Sequence, residues 1–207
     1  MNLDNVSFIE TEAELRAKHH APLSRATDKV LSQLDTHCMA IIGASPFCLL
    51  ATQGRSGADV TPRGDPAGFV RVLDPSHILV PDRIGNNRLD TMTNILDNPS
   101  VGLIFLVPGM NETLRINGRA RITDDDRLLA SSSVNGRPPK VGILVAIVEA
   151  FMHCPKAFVR SKLWDAATQI DRATLPSYTE ILMAHCAGLT EEENARQSEI
   201  MSERGLY

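Results

Sequence analysis

"ETLRINGRARIT", residues 112–123, decides the fold class. Leu114, Ile116, Ala120 and Ile122 fall on one parity; Thr113, Arg115, Asn117, Arg119 and Arg121 fall on the other. Side chains alternate between the two faces of a strand, so the segment predicts a strand with an apolar core face and a polar, cationic outer face. An antiparallel sheet covered on one side gives that pattern, whereas strands of a buried parallel sheet read as unbroken apolar runs.

The neighbouring segments extend the sheet. "SVGLIFLVPG", residues 100–109, is apolar almost throughout and predicts a strand covered on both faces. Upstream, "PFCLLATQG" (46–54) is a short apolar run closed by Gly54, and "GFVRVLDPSHILVP" (68–81) predicts a hairpin around Asp74, Pro75 and Ser76. Downstream, "VGILVAIVEAFMHC" (141–154) predicts the last strand. The flanks predict helices. Residues 10–38 carry Val30, Leu34 and Cys38 at four-residue spacing, with Pro22 dividing two short helices. "PKAFVRSKLW" (155–164) and "PSYTEILMAHC" (176–186) each open with proline near the first turn, and a further helix opens at Thr190 with carboxylates in its first turn. "SSSVNGRPPK" (131–140) offers little to pack and is expected to be a mobile loop. Five or six strands therefore follow one another without intervening helices. That excludes a doubly wound parallel sheet and predicts an antiparallel barrel or sandwich carrying helices before and after it.

The bulk numbers narrow the function. Apolar residues make up 43% and charged residues 22% of the chain, the balance of a soluble globular protein. No apolar run approaches the roughly 20 residues of a membrane span, and no secretory signal opens the chain, so the cytoplasm is the expected compartment and a membrane is not an expected partner. A net charge of −4 argues against a general nucleic-acid binder. The four cysteines are too far apart for a C-x-x-C clip and are expected to be free thiols. His37-Cys38, His153-Cys154 and His185-Cys186 are adjacent pairs, but neighbours point in different directions, so no zinc or other metal site is expected.

The chemistry is concentrated in "HILVPDRIGNNRLDTMTNIL", residues 77–96. An apolar strand runs into Asp82, Arg83, Gly85, Asn86, Asn87 and Arg88 before a helical pattern of Leu89, Met92, Ile95 and Leu96 begins. Asn86 or Asn87 is the expected N-cap. A helix N-terminus favours an anion, and the two arginines add planar donor forks suited to phosphate oxygens. Pairing of the arginines with Asp82 and Asp90 is the competing explanation. "DVTPRGDPAGFV" (59–70) adds Thr61 and a third arginine, Arg63. Arg63, Gly64 and Asp65 also spell an adhesion tripeptide, which is treated as coincidence in a chain without an export signal.

Taken together, residues 60–123, with "PDRIGNNRLDT", "ETLRINGRA" and "HCPKAFVRSKLW", resemble the pyridoxamine 5′-phosphate oxidase-like family of flavin mononucleotide (FMN) proteins, in an uncharacterised bacterial branch. The resemblance covers residues 20–170. It implies an antiparallel split β-barrel with flanking helices, a homodimer, and FMN in clefts at the dimer interface. On that footing residues 1–40 are N-terminal helices packing on the barrel, 41–155 the barrel, and 156–207 the C-terminal helices of one domain. The resemblance implies that Arg63 grips the FMN phosphate, that Val80, Pro81 and Asp82 lie along the flavin, and that Arg83, Asn86, Asn87 and Arg88 hold the phosphate; Thr61, beside Arg63, is a further candidate for cofactor binding. Thr113 stands where the oxidases place a flavin-contacting glutamine. Lys156, Arg160 and Trp164, spaced by four, are expected to share a helix face that closes the partner's cleft.

The chain departs from the true oxidases at its end. "EIMSERGLY" lacks their tryptophan-and-arginine substrate motif, so vitamin B6 oxidation is not implied. The expected activity is a flavin redox step on an unknown small molecule, with NADH or NADPH as the candidate electron donor and no nominated catalytic side chain. The alternatives are a non-catalytic module for flavin, deazaflavin or haem, with His37, His77, His153 or His185 as axial ligand, and, further off, a phosphohydrolase.

Overall fold

The computed structural model describes residues 2–207, so Met1, the first residue of the expected N-terminal segment, lies outside the described residues. The chain divides into two compact units, Met1–Val30 and Leu31–Tyr207. The first carries α1 (Glu12–Ala17) and α2 (Ser24–Thr27). Thr11 caps α1, and Glu14 reaches back to the cap in a reciprocal capping box. None of the residues of either helix is buried.

The second unit is built on a single antiparallel sheet. Its strands are β1 (Phe47–Gly54), β2 (Gly57–Gly64), β3 (Arg71–Asp74), β4 (His77–Pro81), β5 (Ser100–Leu106), β6 (Thr113–Thr123) and β7 (Gly142–His153). The spatial order is β2-β1-β5-β6-β7-β4-β3, so β2 and β3 are the edges. The sheet curls without closing and is a split barrel with flanking helices.

The alternation of 112–123 explains β6. Leu114, Ile116 and Ala120 are buried and Arg115, Arg119 and Arg121 are exposed. A bulge at Asn117 and Gly118 interrupts the pairing with β7. Gly118 is required there, because a Cβ would sit 2.5 Å from the Ala146 carbonyl oxygen. The core joins Leu50 of β1, Ile78 and Val80 of β4, Leu103 and Phe105 of β5, Leu114 and Ile116 of β6, and Ile143 and Val145 of β7. Each such side chain contributes about 1.5–3 kcal/mol by leaving water.

Helices cover the sheet's ends. α3 (Thr36–Ala44) contributes Cys38 and Ile42 to the core and is capped by Asp35, whose carboxylate accepts from the Cys38 N–H. α4 (Asp90–Asp97) packs against β1 and β6. α5 (Asp126–Leu129) lies in the connection from β6 to β7, and after the last strand come α6 (Lys156–Ser161), α7 (Tyr178–His185) and α8 (Glu191–Arg204). α8 is capped by Thr190 and opens with three glutamates, as its sequence predicts.

Several expectations need correction. Residues 28–35 are not helical: Leu31 pairs through its backbone with Ala150 of β7, and these sheet bonds displace the helical pattern until Asp35 starts α3. β2 is a seventh strand with no sequence signature. It is an edge strand with one face only partly buried, so Pro62 and two glycines are tolerated in it. β5 is not covered on both faces, since Ile104 is exposed while Val101, Leu103 and Phe105 are buried. Segment 131–140, read from the sequence as a loop, begins in a 3-10 turn and continues into a tight turn in which Val134 and Arg137 are bridged and Asn135 and Gly136 take positive φ. Among the described residues, no helix is long and apolar enough to cross a membrane.

Candidate functional site

The sheet fails to close beside β2, and the gap is spanned by side chains. Asp59, Thr61 and Arg63 are the partly buried residues on alternate positions of β2, so they share a face. Beyond Pro81, the end of β4, the chain enters the turn from Asp82 to Leu89 that leads into α4. A cavity of about 330 Å³ lies between them, lined by Thr61, Arg63, Asp82, Arg83, the segment Gly85–Leu89 and the first residues of α4. The structure thus brings together seven residues singled out from the sequence: Thr61, Arg63, Asp82, Arg83, Asn86, Asn87 and Arg88.

The turn is not built as the sequence predicts. Neither asparagine caps α4, whose N-cap is Leu89 in the left-handed region at φ 60°. Asn87 is also left-handed at φ 57°. The Asn86 carboxamide oxygen accepts instead from the Arg88 N–H at 3.1 Å. Asparagine tolerates positive φ, whereas leucine there is strained, and such strain gathers where a backbone is held for a purpose. The expected apolar face of α4 also shifts: Thr91, Met92 and Ile95 are buried, and Leu89 and Leu96 are exposed.

Each arginine of the cavity has an acidic partner. Arg63 Nη1 donates to Asp82 at 3.2 Å, Arg83 Nε to Asp65 at 2.6 Å, and Arg88 Nε to Asp90 at 2.7 Å. Ion pairing and anion binding are therefore not exclusive here, because each guanidinium keeps further N–H groups. Arg63 Nε is buried and, among the described residues, has no hydrogen-bond partner. An unsatisfied buried donor of this kind is uncommon and calls for an acceptor. Arg83 also donates through Nη1 to the Ser132 carbonyl at 2.9 Å, which leaves Nη2. Thr61 and Thr91 place their hydroxyl oxygens 3.1 Å apart on the cavity wall. Burial pushes the Asp82 carboxyl above its ordinary value, against the opposing pull of Arg63 and Arg83.

A second cavity of about 270 Å³ adjoins the first, sharing Asp82, Arg83 and Asn87 and adding Arg137, Lys140 and Tyr207. Asp65 and Tyr207 are the residues that sequence reasoning missed. Asp65 sits in the tripeptide set aside as coincidence, and its carboxylate is 2% exposed. Tyr207 donates to its other oxygen at 2.6 Å.

The remaining expected residues lie elsewhere. Val80 and Pro81 are buried in β4 and line neither cavity. Thr113 is buried at the start of β6, opposite His153. Lys156 and Arg160 are exposed on α6. Trp164 does not share their helix face, because α6 ends at Ser161 with Lys162 left-handed. Its indole instead stacks on Phe158 and donates to the Met110 carbonyl at 2.8 Å. His37, His77, His153 and His185 line neither cavity, and His77 is bonded to Asp74. Among the described residues no group of three or more His, Cys, Asp or Glu is gathered as a metal ion would need.

Comparison with known proteins places this geometry in context. Residues 34–154 match the family described as pyridoxamine 5′-phosphate oxidase. No curated protein matches the chain. Among solved structures, HupZ of Group A Streptococcus shares 17% identity over 57% of this chain and 93% of its own, with a TM-score of 0.47. General stress protein 26 of Bacillus anthracis shares 16% over 55% of this chain and 88% of its own, at 0.41. An FMN-binding protein of Syntrophomonas wolfei shares 14% over 56% of this chain and 81% of its own, at 0.42. At this distance none of these three bears on the chemistry of this chain.

Proposed function

The chain belongs to the pyridoxamine 5′-phosphate oxidase family, and from that premise we propose that it is an FMN-binding flavoprotein acting as an oxidoreductase on a small molecule. The observation that carries the reading is the buried, unpartnered Nε of Arg63 in a cavity that also holds Arg83 and Arg88. Planar guanidinium forks suit phosphate oxygens, and a phosphomonoester supplies the acceptor that Arg63 lacks. The donor set therefore fits the phosphate end of FMN.

In this reading Arg63, Arg83 and Arg88 bind the phosphate. Asn86 and Asn87 hold the turn that presents Arg88. Asp82 orients Arg63, and Thr61 and Thr91 offer hydroxyls to the phosphate. Bound FMN would supply the redox chemistry by accepting or giving a hydride, while the protein orients it and excludes competing reactions. NADH or NADPH is the proposed electron donor.

We propose further that the protein is a homodimer. Phe47 of β1, Val60 of β2 and Ile104 of β5 are exposed on three neighbouring strands, and the pairing Ala51 to Val60 and Leu49 to Ile104 sets them on one outer face. A symmetric pair would cover this apolar surface. In such a dimer the exposed Lys156 and Arg160 are available to the partner's cavity, whereas Trp164 is engaged within its own chain.

The test is to purify the protein, release any bound chromophore and identify it, then ask whether NADH or NADPH reduces it. FMN with reduction by either donor supports the reading. A haem or deazaflavin chromophore would contradict it.

A further inference from the structure

Arg83 lines both cavities, and its setting is unusual for a side chain that faces a candidate ligand site. Its guanidinium is held on three sides. Nε donates to Asp65 Oδ2 at 2.6 Å, and Nη1 donates to the Ser132 carbonyl at 2.9 Å. The plane lies against the Tyr207 ring, 5.6 Å from Cζ to the centroid. The Asp65 side chain is 2% exposed, and its second oxygen is taken by the Tyr207 hydroxyl at 2.6 Å. Tyr207 therefore touches both members of one ion pair, through its ring and through its oxygen.

The placement of Tyr207 has no other structural account. No residue of α8 is buried, Gly205 ends that helix at φ 68°, and Leu206 is 79% exposed. From there one side chain reaches an ion pair whose carboxylate, Asp65, lies 142 residues upstream. A buried ion pair is favourable only when the lone pairs that remain are satisfied and the geometry is fixed. Tyr207 does both: it caps the free carboxylate oxygen and it restricts the guanidinium to one plane, with Nη2 as the group left over.

We infer that Tyr207 is a positioning residue, which acts through Asp65 to hold Arg83 in the orientation that lets the cavity discriminate a phosphomonoester from a neutral ligand. The inference rests on the phosphate reading of the cavity. Tyr207 itself touches no phosphate, so its loss leaves the charge of the site unchanged and loosens only the direction in which Arg83 donates.

The test is a double-mutant cycle read on two ligands. FMN and riboflavin are titrated into the 207-residue chain freed of bound flavin, as wild type, Tyr207→Phe, Arg83→Gln and the double variant. Arg83→Gln keeps a donor for Asp65, and Tyr207→Phe keeps the ring. Tyr207→Phe is expected to weaken FMN by about fivefold, a fraction of a charged hydrogen bond, with riboflavin unchanged. The effect should vanish in the Arg83→Gln background, because the two residues act as one unit. Tyr207→Leu, which also removes the ring, should weaken FMN further. Equal loss for both ligands would make Tyr207 a structural anchor only, and an effect that persists without Arg83 would detach it from that side chain; either overturns the inference. A wild type that prefers FMN while Tyr207→Phe prefers it equally overturns this inference alone. A wild type that takes both ligands equally overturns the phosphate reading, and this inference with it.

Discussion

Arg63 Nη1 donates to Asp82 Oδ1 across 3.2 Å, and that bond ties the edge strand β2 to the turn leaving β4, on the far side of the sheet order. The pair bridges the gap that backbone hydrogen bonds leave open. It also sets up a competition, since the carboxylate occupies a donor that an anionic ligand could use.

The competition gives a pH dependence. Burial raises the Asp82 carboxyl above its ordinary value. A raised acid is at its most favourable below its unfolded-state value, and that contribution is lost as pH rises through the folded-state value. At neutral pH Asp82 is charged and opposes a bound phosphate. Asp82→Asn is therefore expected to bind FMN more tightly than wild type at neutral pH. The difference should close as pH falls through the acidic range, where Asp82 takes up a proton. Paired titrations across pH check this, and a difference independent of pH would contradict it.

Gly118 marks the bulge between β6 and β7. Gly118→Ala brings a Cβ to 2.5 Å from the Ala146 carbonyl oxygen and 2.7 Å from Val145 Cγ1. Backbone cannot yield as a flexible side chain can, so the expected loss is about 1–3 kcal/mol of unfolding free energy. Urea denaturation of the variant measures it.

The thiols divide into two classes. Cys38 and Cys48 are buried, and burial pushes them up to about 11 and about 12, while Cys154 and Cys186 are exposed. A thiolate-seeking reagent at neutral pH is expected to label the two exposed cysteines in the native protein and all four in denaturant. Native labelling of Cys48 would contradict its place in the core.

A homodimer is the expected state at micromolar concentration, and Ile104→Asp, which sets a charge in the exposed apolar face, should shift it toward monomer. Light scattering of both forms checks the point.

Much of this was legible in the sequence, for a physical reason. Leu114, Ile116 and Ala120 alternate with arginines because one face of β6 meets the core and the other does not. The phosphate-type cluster was legible because Arg83, Asn86, Asn87 and Arg88 fall in one short segment. What could not be read depends on distance along the chain. Asp65 and Arg83 pair across 18 residues, and Tyr207 meets Asp65 across 142. No local period encodes either contact. β2 was hidden because its half-buried face carries Asp59, Thr61 and Arg63, so its alternation is not an apolar one. The end of α6 was hidden because Lys162 adopts a left-handed conformation without a glycine to announce it, and that misplaced Trp164.

The central claim is that Arg63 and its neighbours hold the phosphate of a flavin mononucleotide, and the most direct measurement is a calorimetric titration of FMN and riboflavin into wild type and Arg63→Ala. Wild type should prefer FMN, and Arg63→Ala should lose about 2 kcal/mol of FMN binding, the scale of a charge-assisted hydrogen bond, with riboflavin little changed. Equal affinity of wild type for the two ligands, or an Arg63→Ala variant that weakens both alike, would contradict the account.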